Sequence, residues 1–206
     1  MNPFVFPKSK HLRTERPGEL SSYQQFKPFL QREFERKCVY CRKPDTSGSD
    51  SFGVDHYRPK SRFPQLITTY SNLFYCCNAC NRRKGSHWPS GKFAKQRFVP
   101  NPCDHEMFRH LRYKRARIES KSDAGEFSIE LLDLNDPESI KFRDTVLQAI
   151  DALEMQKSDL RKVSGKLKAA LKNNKIFTAD EVGDVIKIDA VIARVDQALA
   201  NLCGSA

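Results

Sequence analysis

Cys38, Cys41, Cys77 and Cys80 are spaced C-x2-C-x35-C-x2-C along a chain of 206 residues. Two residues between cysteines let a tight turn aim both thiolates at one tetrahedral ion, with Zn–S distances of about 2.3 Å. Four thiolates fill that ion's coordination sphere, so the expected site is a closed structural zinc that does no chemistry. Cys76 competes with Cys77, but only Cys77 keeps the two-residue gap to Cys80, and Cys76 reads as a small core residue. Four buried free cysteines are the plainer alternative, which the paired spacing disfavours. Cys103 and Cys203 have no cysteine partner at ligand spacing. "CDH" (103–105) with His110 reads as surface loop before it reads as a second metal site.

Between the cysteine pairs lies "VDHYRPKSRF", residues 54 to 63. Asp55 offers a hard oxygen ligand of the kind magnesium or manganese prefers. His56 titrates near neutrality and can take a proton from water. Adjacent strand residues point to opposite faces, yet a strand end beside a loop can turn both toward one ion. Asn81 directly follows the last zinc cysteine, so the knuckle fixes its amide oxygen as a second ligand. Asn72, in "SNL", is placed to hold backbone or the imidazole. Arg82, Arg83 and Lys84 open the following helix, where backbone N–H groups and cationic side chains favour phosphate, and Arg58 and Lys60 extend that charge. His87 lies beyond this pattern as a minor candidate ligand. Asp-His adjacency alone is more often loop capping than catalysis; the four-cysteine frame and the two asparagines change that weighting.

The pattern C-x2-C, D-H-x2-P-K-S, N-L, C-x2-C-N-x2-K over residues 38 to 84 resembles the HNH, or ββα-metal, nuclease family. The resemblance implies a ββα-metal HNH core stapled by a four-cysteine zinc; with the C-terminal helical hairpin that the apolar stripes near the end of the chain suggest, the expected fold class is α+β. It implies that Asp55 and Asn81 bind a catalytic Mg²⁺ or Mn²⁺, that His56 is the general base and that Asn72 orients the loop. The third motif position is asparagine here, a variant the family also uses. A looser resemblance, through "FVPNPCDH" and "LLDLNDPESIKFR", is to the small HNH subunits of Septu-type bacterial anti-phage systems. It implies a protein partner, an ATPase subunit, or else a homodimer. The expected function is a metal-dependent endonuclease acting on DNA, with RNA as the other substrate. The rivals are an HNH-type RNase and a zinc-dependent nucleic-acid-binding module without catalysis.

Charge and periodicity frame these residues. Formal net charge is +11, and residues 1–120 carry 24 Lys and Arg against 10 Asp and Glu, while residues 121–206 carry 12 against 15. Only the first part is built to meet a polyanion. No continuous apolar run suggests a signal peptide or a membrane span, so the expectation is a cytoplasmic protein without membrane contact. The organisation expected is a basic arm over residues 1–27, a nuclease core with a basic extension over 28–120, and a mainly helical region over 121–206 for packing or partner contact.

A short helix from about residue 27 to Arg36 should turn Phe29, Leu30 and Phe34 to a core, with Pro28 in its first turn. A strand should end at His56 and be followed by a loop. "NLFYCCNACNRRKG" reads as a turn, a knuckle and a helix start. Leu111, Tyr113 and Ile118 suggest strands joined by a turn at Asp123-Ala124-Gly125. Asp136 and Pro137 should open a long helix with a stripe from Val146 to Leu171, ended by "KNNK", and a Thr178–Glu181 capping box a second one.

Overall fold

In the computed structural model, which describes residues 2–45, 52–173 and 179–204, the first helix is α1 (Lys27–Glu33). Pro28 sits in its first turn, where a missing N–H costs nothing. The helix stops short of Arg36 because Glu35 and Arg36 take positive φ values of 53° and 54°. Leu30 and Phe34 are buried, whereas Phe29 is half-buried beneath the Arg32 guanidinium. The first cysteine pair follows in a tight turn, closed by Cys38 N–H donating to Lys43 O at 2.9 Å and Arg42 N–H to Cys38 O at 2.9 Å.

β1 (Phe52–His56) and β2 (Leu73–Cys77) pair antiparallel, from Phe52 opposite Cys77 to His56 opposite Leu73. The stretch read from sequence as a turn and knuckle is therefore a strand. All five of its residues are buried, so no alternation marks it. α2 (Asn78–Lys84) follows directly, with Cys80 in its first turn, completing a ββα unit. Gly85, at φ 50°, ends it.

β3 (Leu111–Lys114) and β4 (Arg117–Ser120) form a second antiparallel hairpin. Its turn lies at Arg115-Ala116, with Arg115 at φ 54°, not at Asp123-Ala124-Gly125. Those three residues instead open α3 (Asp123–Leu132), capped by the Ser122 hydroxyl accepting from Gly125 N–H at 3.1 Å. Glycine is required there by close approach, since a Cβ on Gly125 would lie 1.9 Å from His110 O.

"LLDLNDPES" is the joint into the last two helices. Leu132 and Leu134 are buried, and Asn135 pairs with both backbone groups of Ile118, at 2.9 and 2.7 Å. Asp136 Oδ1 accepts from Ser139 N–H at 2.9 Å, the expected N-cap of α4 (Pro137–Asn173). At 37 residues α4 is about 55 Å long. α5 (Ala179–Cys203) returns along it, with Ser164 and Lys168 reaching Asp189 at 2.9 and 2.7 Å. Thr178, and with it that half of the expected capping box, lies outside the described residues, as do the end of "KNNK" and residues 46–51 of the Ser/Gly/Asp loop. The apolar stripe closes best at the base of this hairpin, where Val146, Ile150, Val195 and Leu199 are buried; farther out Val185 is buried too, but Val163 is 48% and Ile186 64% exposed.

The N-terminal arm is extended up to a short 3-10 helix at Tyr23–Phe26, and it is packed. Phe6 enters the main core with Leu30, Tyr40 and Tyr75, and Phe4 enters a second core with Ile150, Val195 and Leu199. The fold is α+β, with the ββα unit at its centre and the helical hairpin on one flank. Among the described residues no helix is long and apolar enough to cross a membrane.

Candidate active site

Neighbouring residues on β2 face opposite ways, and this separates the two adjacent cysteines. Cys77 joins Cys38, Cys41 and Cys80, whose sulfurs all lie within 4.8 Å of one another. Cys76 is fully buried and outside that cluster. The Cys41 and Cys77 sulfurs are 3.8 Å apart. That matches the edge of a tetrahedron with metal–sulfur bonds of about 2.3 Å, roughly 3.8 Å. The four cysteines can hold a metal such as zinc, and they fasten the first turn, the end of β2 and the start of α2 to one point.

The same frame presents a second set of groups. Asp55, His56 and Asn81 line one cleft of about 380 Å³, together with Tyr23, Lys60 and Ser86. Both Asp55 and His56 reach it because β1 ends at His56 and the chain turns at once. The 57–72 loop then returns to Asn72, whose amide closes it. Asn72 Oδ1 accepts from Arg58 N–H at 2.9 Å, and its Nδ2 donates to Arg58 O at 3.1 Å and Leu66 O at 3.3 Å. Asn72 does not line the cleft; it holds the loop that positions the imidazole.

That loop determines which nitrogen of His56 is basic. His56 Nε2 lies 3.0 Å from Ile67 O, one residue beyond the carbonyl that Asn72 holds. A carbonyl only accepts, so Nε2 carries the hydrogen and Nδ1 is the nitrogen free to take a proton. His56 is 8% exposed, and its ring stands edge-on to Tyr23, with centroids 4.7 Å apart. Burial pushes the imidazole's pKa down from its ordinary value, and Lys60 and Lys84 add to this against the Ile67 hydrogen bond and Asp55. The ring is therefore held neutral, the form a base requires.

Asp55 is 2% exposed. Tyr40, the residue before Cys41, donates its hydroxyl to Asp55 Oδ2 at 2.5 Å. Burial and the Asp55 charge hold the Tyr40 pKa well above its usual value, so it remains a donor. Lys84 donates to Asp55 Oδ1 at 3.0 Å and to His56 O at 2.9 Å. Each carboxylate oxygen keeps a further acceptor position. Asn81 donates from Nδ2 to Val54 O at 3.5 Å, which leaves its amide oxygen as an acceptor. One carboxylate and one amide oxygen in one cleft suit a hard divalent ion that keeps most of its coordination for other oxygens.

Arg82, Arg83 and Lys84 do not open a helix but form the last turn of α2, so no helix N-terminus favours phosphate beside them, and the three face different ways. Arg82 is exposed, as are Arg58 and Lys60. Arg83 turns to the α3–α4 joint, reaching Leu132 O, Asp133 O and Asp136 Oδ2 at 3.2 Å each. Lys84 is 2% exposed and faces Asp55, not solvent. Sequence reasoning missed the roles of Tyr40 and Lys84, though Lys84 lies three residues after Asn81 and so shares its helix face. His87 is turned to Arg97 O at 3.3 Å and to Phe127, and it does not line the cleft. His105 and His110 pack on each other and on Phe98, outside any metal-holding cluster among the described residues. The "FVPNPCDH" motif is a strap. Tyr57 donates its hydroxyl to Val99 O at 2.9 Å, and buried Asn101 accepts from Cys103 and Asp104 N–H at 3.0 Å each. A larger cavity of about 730 Å³ adjoins the 57–72 loop beside Arg13, Arg16 and Arg58, but the acid, base and amide converge in the smaller cleft.

Residues 38–87 match the family model described as HNH endonuclease. Among curated proteins, the chain is similar to the Septu protein PtuB of Bacillus thuringiensis, at 29% identity over 99 residues. That match takes in 48% of this chain and 37% of the relative, so the chain spans well under half of that protein's length. No solved structure matches the chain.

Proposed function

We propose that this chain is a divalent-metal-dependent HNH endonuclease that hydrolyses phosphodiester bonds of DNA, as the nuclease effector of a bacterial anti-phage system. The observation that carries the reading is the convergence of Asp55, Asn81 and a neutral His56 in one cleft behind a four-cysteine frame. His56 Nδ1 accepts a proton from the attacking water. The water oxygen bonds to phosphorus as the bond to the 3′ oxygen breaks, leaving 5′-phosphate and 3′-hydroxyl ends. Asp55 and Asn81 would hold Mg²⁺ or Mn²⁺, which when bound supplies Lewis-acid stabilisation of the phosphate and the leaving oxygen. A single carboxylate in the cleft favours one ion over a carboxylate-rich two-metal arrangement. Asn72 keeps the loop and hence the imidazole in place. Arg58, Lys60 and Arg82, all exposed, are the groups left to meet the backbone phosphates. The four-cysteine site is assigned to structural zinc. One cleft cuts one strand, so a double-strand break needs two copies, brought together by homodimerisation or by a partner. The similarity to a Septu protein favours a protein partner, for which an ATPase subunit is the candidate.

Plasmid nicking that requires Mg²⁺ or Mn²⁺ and stops with EDTA is the expected result. Binding without cleavage across several ions, in the presence of co-purifying partners, would instead favour a zinc-dependent binding module. Parallel DNA and RNA substrates separate the deoxyribonuclease from an HNH-type RNase.

A further inference from the structure

Lys84 and Asp55 form an ion pair that is almost wholly out of water, with side chains 2% and 3% exposed. A buried charge is tolerated when it is paired, and here the pair is held at both ends. Lys84 also donates to His56 O, and it ends a helix whose start is fixed by Cys77 and Cys80. Among the residues lining the cleft Asp55 is the sole acid, and Lys60 adds a further positive charge. A divalent ion arriving on Asp55 thus meets a carboxylate whose charge is already balanced. It would add positive charge beside the Lys84 ammonium, which is withdrawn from water, so that their repulsion is weakly screened. A phosphodiester carries the missing negative charge.

We propose that Lys84 is a positioning residue that neutralises Asp55 in the nucleic-acid-free protein, so that divalent-ion binding is weak until a phosphate reaches the cleft. This rests on the reading of Asp55 and Asn81 as the ion's ligands. Ion and nucleic acid then bind cooperatively, and by linkage each tightens the other by the same factor. The ion-free nuclease does not hold a loaded centre in wait for substrate.

The test is a Mn²⁺ titration followed by electron paramagnetic resonance of the free ion, in full-length His56→Ala protein whose cysteine site is filled with zinc. A short DNA duplex is present or absent, with correction for Mn²⁺ bound by the duplex alone. The duplex should tighten Mn²⁺ binding tenfold or more. Adding Lys84→Met should tighten it tenfold or more without duplex and shrink the duplex effect to under threefold. Tyr40→Phe, which removes a neutral donor from the same carboxylate, should leave duplex-free affinity within about twofold. The inference is overturned if Lys84→Met, folded by circular dichroism and retaining zinc, binds Mn²⁺ no more tightly. Should Lys84→Met not fold, a duplex effect under twofold in the His56→Ala protein overturns it alone. Asp55→Asn separates the two claims. If it leaves Mn²⁺ binding unchanged, the ligand reading falls and takes this inference with it. If it weakens binding while Lys84→Met has no effect, only the role of Lys84 falls.

Discussion

At the scale of single residues, the proposed mechanism separates groups that would do chemistry from groups that hold them. His56 presents Nδ1 because Ile67 O occupies Nε2, and Ile67 is where it is because Asn72 holds Leu66 O and both backbone groups of Arg58. His56→Ala should therefore keep its fold and zinc and bind DNA with unchanged salt dependence. Its cleavage rate should fall by roughly two to four orders of magnitude, the usual range for a general base. Near wild-type cleavage by this variant, measured under chelation control, would make Asp55-His56 scaffold. Asn72→Ala should differ in kind. It leaves Arg58 N–H and Arg58 O without their side-chain partner and removes one of the two donors to Leu66 O, so a stability loss of about 1–2 kcal/mol in urea unfolding should accompany its loss of rate. Asp55 and His56 were singled out in sequence by residue type within the cysteine frame and Asn81 by its place after Cys80, and the fold brings all three to one cleft. The roles of Arg83 and Lys84 were not legible there, because their partners are Asp133, Asp136 and Asp55, which only the fold brings close.

Elements explain what the pattern of residues concealed. β2 is buried on both faces, and a strand without alternation looks like any apolar stretch between turn signals. Its parity nevertheless decides the metal ligand. Cys77→Ser should lose the bound metal and unfold or aggregate the core, since ligand binding in such a site is folding free energy. Cys76→Ser should keep one metal per chain and change stability modestly. The reverse outcome, by metal analysis and thermal unfolding, would shift the ligand assignment by one residue. α3 was hidden by its own glycine. Gly125 reads as a turn residue, yet it serves a helix start where the His110 carbonyl leaves no room for a side chain. Gly125→Ala would raise intrinsic helix propensity but force apart α3 and the residue preceding β3. A loss of about 1–3 kcal/mol is expected, with the far-UV helix signal retained. A stabilised Gly125→Ala protein would show that the contact relaxes freely. Strong caps, by contrast, were readable: Asp136 and Pro137 open α4 as their types dictate.

Over the whole molecule, charge asymmetry pointed to a polyanion-facing first half, but not to the way the halves are joined. The arm joins them. Phe4 packs against the base of the α4–α5 hairpin and Phe6 against the nuclease-like core, two residues apart in sequence. α5 is for the same reason not a detachable appendage, because Val195 and Leu199 share that second core with Phe4. What anchors the arm is Glu33, a carboxylate 4% exposed at the end of α1. It accepts from Thr14 N–H at 2.9 Å, Glu15 N–H at 3.0 Å and the Tyr70 hydroxyl at 3.2 Å, and pairs with His11 at 2.7 Å. Burial alone would raise its pKa, but the Thr14, His11 and Glu15 hydrogen bonds outweigh it and leave the pKa below the ordinary value. A carboxylate with a depressed folded-state pKa stabilises the fold above its unfolded pKa, about 4.3, and that stability is lost as pH falls through the folded value. Glu33→Gln should thus cost about 2 kcal/mol at pH 7, the scale of hydrogen bonds to a charged acceptor. The gap to the parent should close as pH drops below about 4, where the parent loses the same charge. Acid release of metal common to both proteins drops out of that difference. Hydrogen exchange gives the local readout: the Thr14 and Glu15 amides should lose protection in Glu33→Gln at pH 7 while β2 amides keep theirs. An equal stability gap at both ends of the pH range, with the arm amides still protected, would mean that contacts other than Glu33, the packing of Phe4 and Phe6 and the His11–Pro102 backbone bond among them, hold the arm in place.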